Sequence, residues 1–152
     1  MTLEILLAYF HFIALIGTAS LLSAEALLCR PGIASEALHR LKKVDIGYFS
    51  FAIAALLTGA ARLFWGAKGS AYYLANPIFH TKLGLFVLVA LLSVLPTVRF
   101  IQWSAEAQKA GTFVPASAAV ARVRAFLLLE LAVLAAIPLL ATLMAHGVSR
   151  FG

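Results

Sequence analysis

Acidic residues are scarce in this chain: six Asp and Glu stand against twelve Lys and Arg, and charged residues make up only 12% of the 152. A soluble domain carries about 25% charged residues, so the composition excludes an ordinary water-soluble globule. Cysteine is nearly absent. Cys29 alone permits no intrachain disulfide and no cysteine-based metal motif; in an apolar run at a helix end it reads as packing. With only two methionines there is no Met cluster, which argues against copper handling. The sequence has no internal repeat, no low-complexity tract and no basic stripe interleaved with aromatics, so nucleic acid is not an expected partner.

Apolar residues take the place of what is missing. They make up 63% of the chain, and the mean hydropathy is +1.00. A lipid bilayer is the solvent that fits. Its hydrocarbon core is about 30 Å thick and takes about 20 helical residues to cross. Four segments meet that need, at about residues 3–28, 44–64, 77–103 and 124–145. The expected fold is all-α, an integral membrane four-helix bundle in a single domain over residues 1–152. The first segment carries Glu4 and no Lys or Arg before its apolar run, which is longer than a signal-peptide core, so it reads as a retained helix. Arg30-Pro31-Gly32 ends it, and Pro77 opens the third. Pro96 and Pro138 fall late in the third and fourth spans, where kinks are expected. Ser35–Lys43 reads as a short surface helix.

The formal charge of +6 is distributed between the spans. Arg30, Arg40, Lys42 and Lys43 fill the first loop, and Arg99, Lys109, Arg122 and Arg124 surround the third. The other side has Lys68 and Arg150, with Arg62 and Lys82 at span edges. By the positive-inside bias the first and third loops are cytoplasmic and both termini extracytoplasmic. Trp65, Tyr72 and Tyr73 are expected to anchor one interface and Trp103 the other.

Ionisable side chains within the hydrocarbon are functional candidates by default, since each costs roughly 2.5 kcal/mol or more at mid-bilayer. Here they are His11, Glu25, Arg62, His80, Lys82 and Glu130. His11, Ala14, Thr18, Leu21 and Glu25 share one face of the first helix, and Asp45, Tyr48, Ala52, Ala55, Gly59 and Arg62 share one face of the second. Small residues in that second stripe either let backbones approach closely or leave room for a flat ligand. Lys82, Phe86, Val89 and Ser93 align on the third helix. His80 points about 160° away from Lys82, so only one of the two can face the bundle centre. His11 lies about 12 Å into the first helix, which puts it, Arg62 and Lys82 (or His80) in the extracytoplasmic half together. The bland readings are a packing histidine at position 11, snorkelling Arg62 and Lys82, and interfacial His80 and His146. On the cytoplasmic side Glu25 is expected to pair with Arg30 or Lys43. Glu130 is expected to snorkel or pair with Arg99, and is otherwise a proton-relay candidate.

The stretches Leu41-Lys42-Lys43-Val44-Asp45-Ile46-Gly47-Tyr48, Thr58-Gly59-Ala60-Ala61-Arg62-Leu63, Tyr72 through Lys82 and Leu95-Pro96-Thr97 resemble a family of bacterial predicted membrane proteins of unknown function, over nearly the whole chain. Tyr9-Phe10-His11-Phe12-Ile13-Ala14 and Phe79-His80-Thr81-Lys82-Leu83-Gly84-Leu85 resemble, more remotely, the small four-helix bacterial protoporphyrinogen IX oxidase, although its tryptophan-rich flank before H-x-K is lacking. The chain is also distantly similar to copper-resistance membrane domains. These resemblances imply the bacterial inner membrane. The oxidase resemblance implies haem association, with His11 and Lys82 as the key residues.

The leading expectation is therefore a haem b site among the first three helices. His11 would be the axial ligand to iron, Lys82 a second axial ligand or propionate partner, and Arg62 a propionate partner. The chemistry would be electron transfer or porphyrinogen-type oxidation, with a quinone or a porphyrin as substrate. Two alternatives stay open. One is a non-haem proton or metal-ion path through His11, Glu25, Lys82 and Glu130, which with four helices would need a homo-oligomer. The other is a structural subunit of a membrane complex.

Overall fold

The computed structural model describes residues 2–65 and 69–146. Five helices follow in order: α1 (Thr2–Leu28), α2 (Ser35–Trp65), the short α3 (Gly69–Leu74), α4 (Pro77–Ala110) and α5 (Ser117–Ala145). No strand occurs among the described residues. The four long helices are each long and apolar enough to cross a membrane, so this is an all-α four-helix membrane bundle, with a lipid bilayer as its surroundings.

The helix boundaries follow from local chemistry. The Asn76 side chain accepts the Ile78 N–H at 2.9 Å and Pro77 occupies the first turn, so α4 opens with one orphan donor satisfied and another removed. Gly111 closes it at φ +69°, returning its N–H to the Ala107 carbonyl. Between α1 and α2 the chain turns at Gly32, whose φ of +80° suits glycine.

Three helices run further than the apolar windows suggest. Ser35–Lys43 is not a separate surface helix but the first turns of α2. Likewise α4 continues past Trp103 to Ala110, and α5 begins at Ser117 rather than near Arg124. Hydropathy marks where lipid begins. A helix satisfies its own backbone on either side of that line, so it need not stop there.

Neighbouring long helices are antiparallel and pack in a ring, α1 on α2, α2 on α4, α4 on α5 and α5 on α1; the diagonal pairs α1–α4 and α2–α5 have no backbone contact among the described residues. The α1–α2 pair is tight because side chains fill the space that glycines leave. A Cβ on Gly17 would overlap the Phe51 ring, and one on Gly47 would come within 3.1 Å of Leu21. The core is concentrated toward the end that carries the α1–α2 and α4–α5 connections. Leu22, Cys29, Leu38, Leu41, Phe100, Val120, Val123 and Leu127 are all fully buried there. At that end the Ser35 hydroxyl donates to the Phe113 carbonyl at 3.0 Å and accepts the Phe113 N–H at 2.9 Å, which ties the two connections together. Trp103 belongs to this core and not to an interface belt: it is 5% exposed, its ring centroid 6.3 Å from that of Phe100. Leu57, Leu91 and Leu139, by contrast, are more than half exposed on the outer surface, where lipid would cover them.

Candidate functional site

Polar side chains gather at two levels of the bundle. The first lies near the end where α1 begins. His11 Nδ1 is 3.0 Å from the Thr58 hydroxyl oxygen. That hydroxyl sends its own hydrogen to the Ala54 carbonyl, at 2.6 Å. With the hydroxyl hydrogen so placed its oxygen accepts from the ring, which favours the tautomer with the hydrogen on Nδ1 and the lone pair on Nε2. The imidazole lies over Gly59, where a Cβ would come within 3.2 Å of Cε1. Of the two uses a small-residue stripe can have, Gly59 serves close packing, with the His11 ring in the space.

Arg62 and Lys82 both lie near enough to His11 for their charges to act on it, and on each other. All three side chains are half-buried. The H-x-K pair divides as helical geometry requires. Lys82 turns toward Arg62 and His11, while His80 is exposed and donates from Nε2 to the Leu74 carbonyl at 2.9 Å, bracing the α3–α4 connection. His146, just past the end of α5, is exposed as well, bonded to the Thr142 carbonyl of that helix. Thr58 had no place among the sequence candidates. Its signal was weak, a threonine beside Gly59 that could as well have been lipid-facing.

The second level lies toward the opposite end and is acidic. Tyr48 donates its hydroxyl to Glu130 Oε1 at 2.5 Å. Thr97 donates to Asp45 Oδ1 at 2.8 Å. Ser93 neighbours the Tyr48 hydroxyl. Glu25 lies within electrostatic range of both Asp45 and Glu130. Exposure is 1% for Glu25, 0% for Glu130 and 4% for Asp45. Glu25 Oε1 and Glu130 Oε2 are buried without any hydrogen-bond partner.

These positions correct two expectations. Glu25 does not pair with Arg30 or Lys43, both of which are exposed to the surroundings. Glu130 neither snorkels nor pairs with Arg99, whose guanidinium turns to Gln102. The ion pair found among the described residues is Arg40–Glu36, on the surface of α2. The reason is rotational. Each acid shares a helix face with the core residues of its own helix, and that face is turned to the axis of the bundle. Asp45 and Tyr48 were visible on one stripe of α2; Ser93 was visible on α4, but nothing in the sequence linked any of them to Glu130. Among the described residues no three His, Cys, Asp or Glu side chains are grouped so as to hold a metal ion.

Just beyond α1, Cys29 is fully buried, its Sγ 3.9 Å from the Val120 carbonyl. Burial pushes its thiol up to about 11, against a smaller opposing pull from the Arg124 guanidinium. It is a packing residue, as expected.

A family described as "Predicted membrane protein (DUF2214)" matches residues 3–149. No curated protein and no solved structure matches. The resemblance to an uncharacterised membrane family is thus supported, and those to the oxidase and to copper-resistance domains are left without a match.

Proposed function

The chain belongs to the DUF2214 family of predicted membrane proteins, a description that carries no activity, and from its own residues we propose a membrane redox protein that holds haem b at the His11 level. One observation carries this reading: His11 Nδ1 lies 3.0 Å from the Thr58 hydroxyl, whose oxygen is itself 2.6 Å from the Ala54 carbonyl, an arrangement that suits an Nδ1–H imidazole with its lone pair on Nε2. A histidine that ligates metal commonly has its other ring nitrogen held in this way, which sets ring orientation and basicity. Arg62 and Lys82 add two positive charges beside it, and a haem carries two carboxylates. The donor set therefore fits: His11 for iron, with Arg62 and Lys82 for the propionates or Lys82 as a second ligand.

Bound haem would supply one-electron chemistry. The chain's own part is to orient the imidazole, balance carboxylate charge and keep the site within lipid. Electron transfer and porphyrinogen-type oxidation are both compatible with that role, with a quinone or a porphyrin as the partner molecule. The remote oxidase resemblance favours the second.

The deciding experiment is an optical spectrum of detergent-purified protein expressed with ample haem. A Soret band that is lost or altered in His11→Ala supports the reading. A colourless protein, or a band unchanged in both His11→Ala and Lys82→Met, overturns it and leaves a structural role in a membrane complex, which the family's description also allows.

A further inference from the structure

We propose that Glu25, Asp45 and Glu130, together with Tyr48, form a proton-binding site inside the bundle, separate from the His11 level and independent of haem. Two oxygens there point to a ligand: Glu25 Oε1 and Glu130 Oε2 are buried acceptors with no donor. Both belong to side chains at least 99% buried. Tyr48 and Thr97 give their hydrogens to other oxygens of the cluster, Glu130 Oε1 and Asp45 Oδ1, and Arg124 Nε, a buried donor that is itself without a partner, bonds neither acid. A buried acceptor left bare costs about 1–3 kcal/mol, and more if it is charged. A proton on the cluster supplies the missing donor and removes one negative charge in the same step.

Every element packed around the cluster bears on this assignment. From α1 comes Glu25 and, just past the end of that helix, the neutral thiol of Cys29. From α2 come Asp45 and Tyr48. The facing part of α4 offers only the hydroxyls of Ser93 and Thr97. From α5 come Glu130 and Arg124. The Arg124 charge acts on Cys29, but it forms no ion pair with any of the acids. Three carboxyls thus lie within electrostatic range of one another, with no cation paired to them among the described residues. Like charges within that range, in so apolar a setting, do not all ionise together. A metal ion would be the other way to supply positive charge, but the acids are not grouped as ligands for one.

Position gives the site a direction. In α1, Glu25 lies three residues before Leu28, where the helix ends. By the positive-inside bias that end is cytoplasmic, so the cluster lies nearer the cytoplasmic side of the bundle.

Infrared spectroscopy of the liposome-reconstituted protein, with carboxyl-13C glutamate, reads the site directly. The expected result is a glutamic-acid C=O stretch of a neutral carboxyl near neutral pH that disappears on alkaline titration. Glu25→Gln and Glu130→Gln should each reduce it. Tyr48→Phe, which keeps both acids and nearly all of the packing, should shift its frequency. His11→Ala should leave it unchanged, so this result stands apart from the fate of the haem reading. A wild-type spectrum with no neutral carboxyl band, from glutamate or aspartate, overturns the proposal. So does a band that responds to sodium or potassium at fixed pH, because the cation would then be a metal ion.

Discussion

Tyr48 on α2 and Glu130 on α5 meet across the diagonal of the bundle, hydroxyl to carboxyl oxygen at 2.5 Å, although the backbones of those two helices are not in contact. The length of a tyrosine side chain spans what the backbones leave open. The bond therefore links two helices whose backbones do not touch, in the middle of the acidic level. Its partners are 82 positions apart in the chain.

Removing that hydroxyl should weaken the bundle measurably. Tyr48→Phe leaves a second oxygen of Glu130 without a donor, so a loss of about 1–3 kcal/mol is expected, read as a lower midpoint of thermal unfolding in detergent. Replacing the acid as well, in Tyr48→Phe with Glu130→Leu, should recover part of the loss, because no orphaned polar group remains. Strictly additive effects of the two changes would show that the pair is not energetically coupled.

The His11 level gives a prediction that does not require haem. Gly59→Ala would place a methyl 3.2 Å from His11 Cε1 and press the ring away from its seat. Overpacking of this kind costs about 1–3 kcal/mol, again visible in thermal unfolding. If haem is bound, Thr58→Val should also alter its spectrum, because it frees the ring to rotate. His80→Ala should not, because His80 serves the α3–α4 connection. A haem spectrum lost with His80→Ala and kept with Lys82→Met would assign the site to the wrong member of the H-x-K pair.

Topology is open to chemical labelling. Glu36 is exposed at the start of α2, next to the dense Lys and Arg of the first connection. In a Cys29→Ser background, Glu36→Cys should resist a membrane-impermeant thiol reagent in intact cells and react once the membrane is opened. Labelling from outside would invert the orientation and move the acidic level to the extracytoplasmic side.

Cys29 gives a pH signature whose sign can be worked out. Its thiol is raised from an ordinary 9.0 to about 11 by burial. Below about pH 9 it is neutral both folded and unfolded and contributes no pH dependence. Between about 9 and 11 the unfolded chain releases the proton while the folded one keeps it, so stability falls as pH rises through that window. Cys29→Ser should flatten this alkaline loss, and wild-type Cys29 should react slowly with alkylating reagents at neutral pH unless the bundle is unfolded. Rapid neutral-pH alkylation of the folded protein would contradict its burial.

Hydropathy alone determined that this chain is a membrane bundle of four long helices, because the gain from placing apolar groups in lipid and the cost of placing charged ones there are summed along each helix by itself. Helical periodicity went one step further. It put His11 with Glu25, and Asp45 with Tyr48 and Arg62, on single faces, and it showed that Lys82 and His80 could not both turn inward. Only the tertiary structure decided which faces meet, because the rotation and register of one helix against another are set by packing. Phe51 over Gly17, Leu21 over Gly47 and His11 over Gly59 fix the α1–α2 pair in this way. That register turns Glu25 away from Arg30 and Lys43 and into the company of Asp45 and Glu130. It also buries Trp103, a residue whose amphipathic ring would have suited an interface equally well. A side chain's chemistry can be read from its letter, but its partners depend on contacts between residues distant in the chain, and in this bundle the partners separate a surface ion pair from a buried acidic cluster.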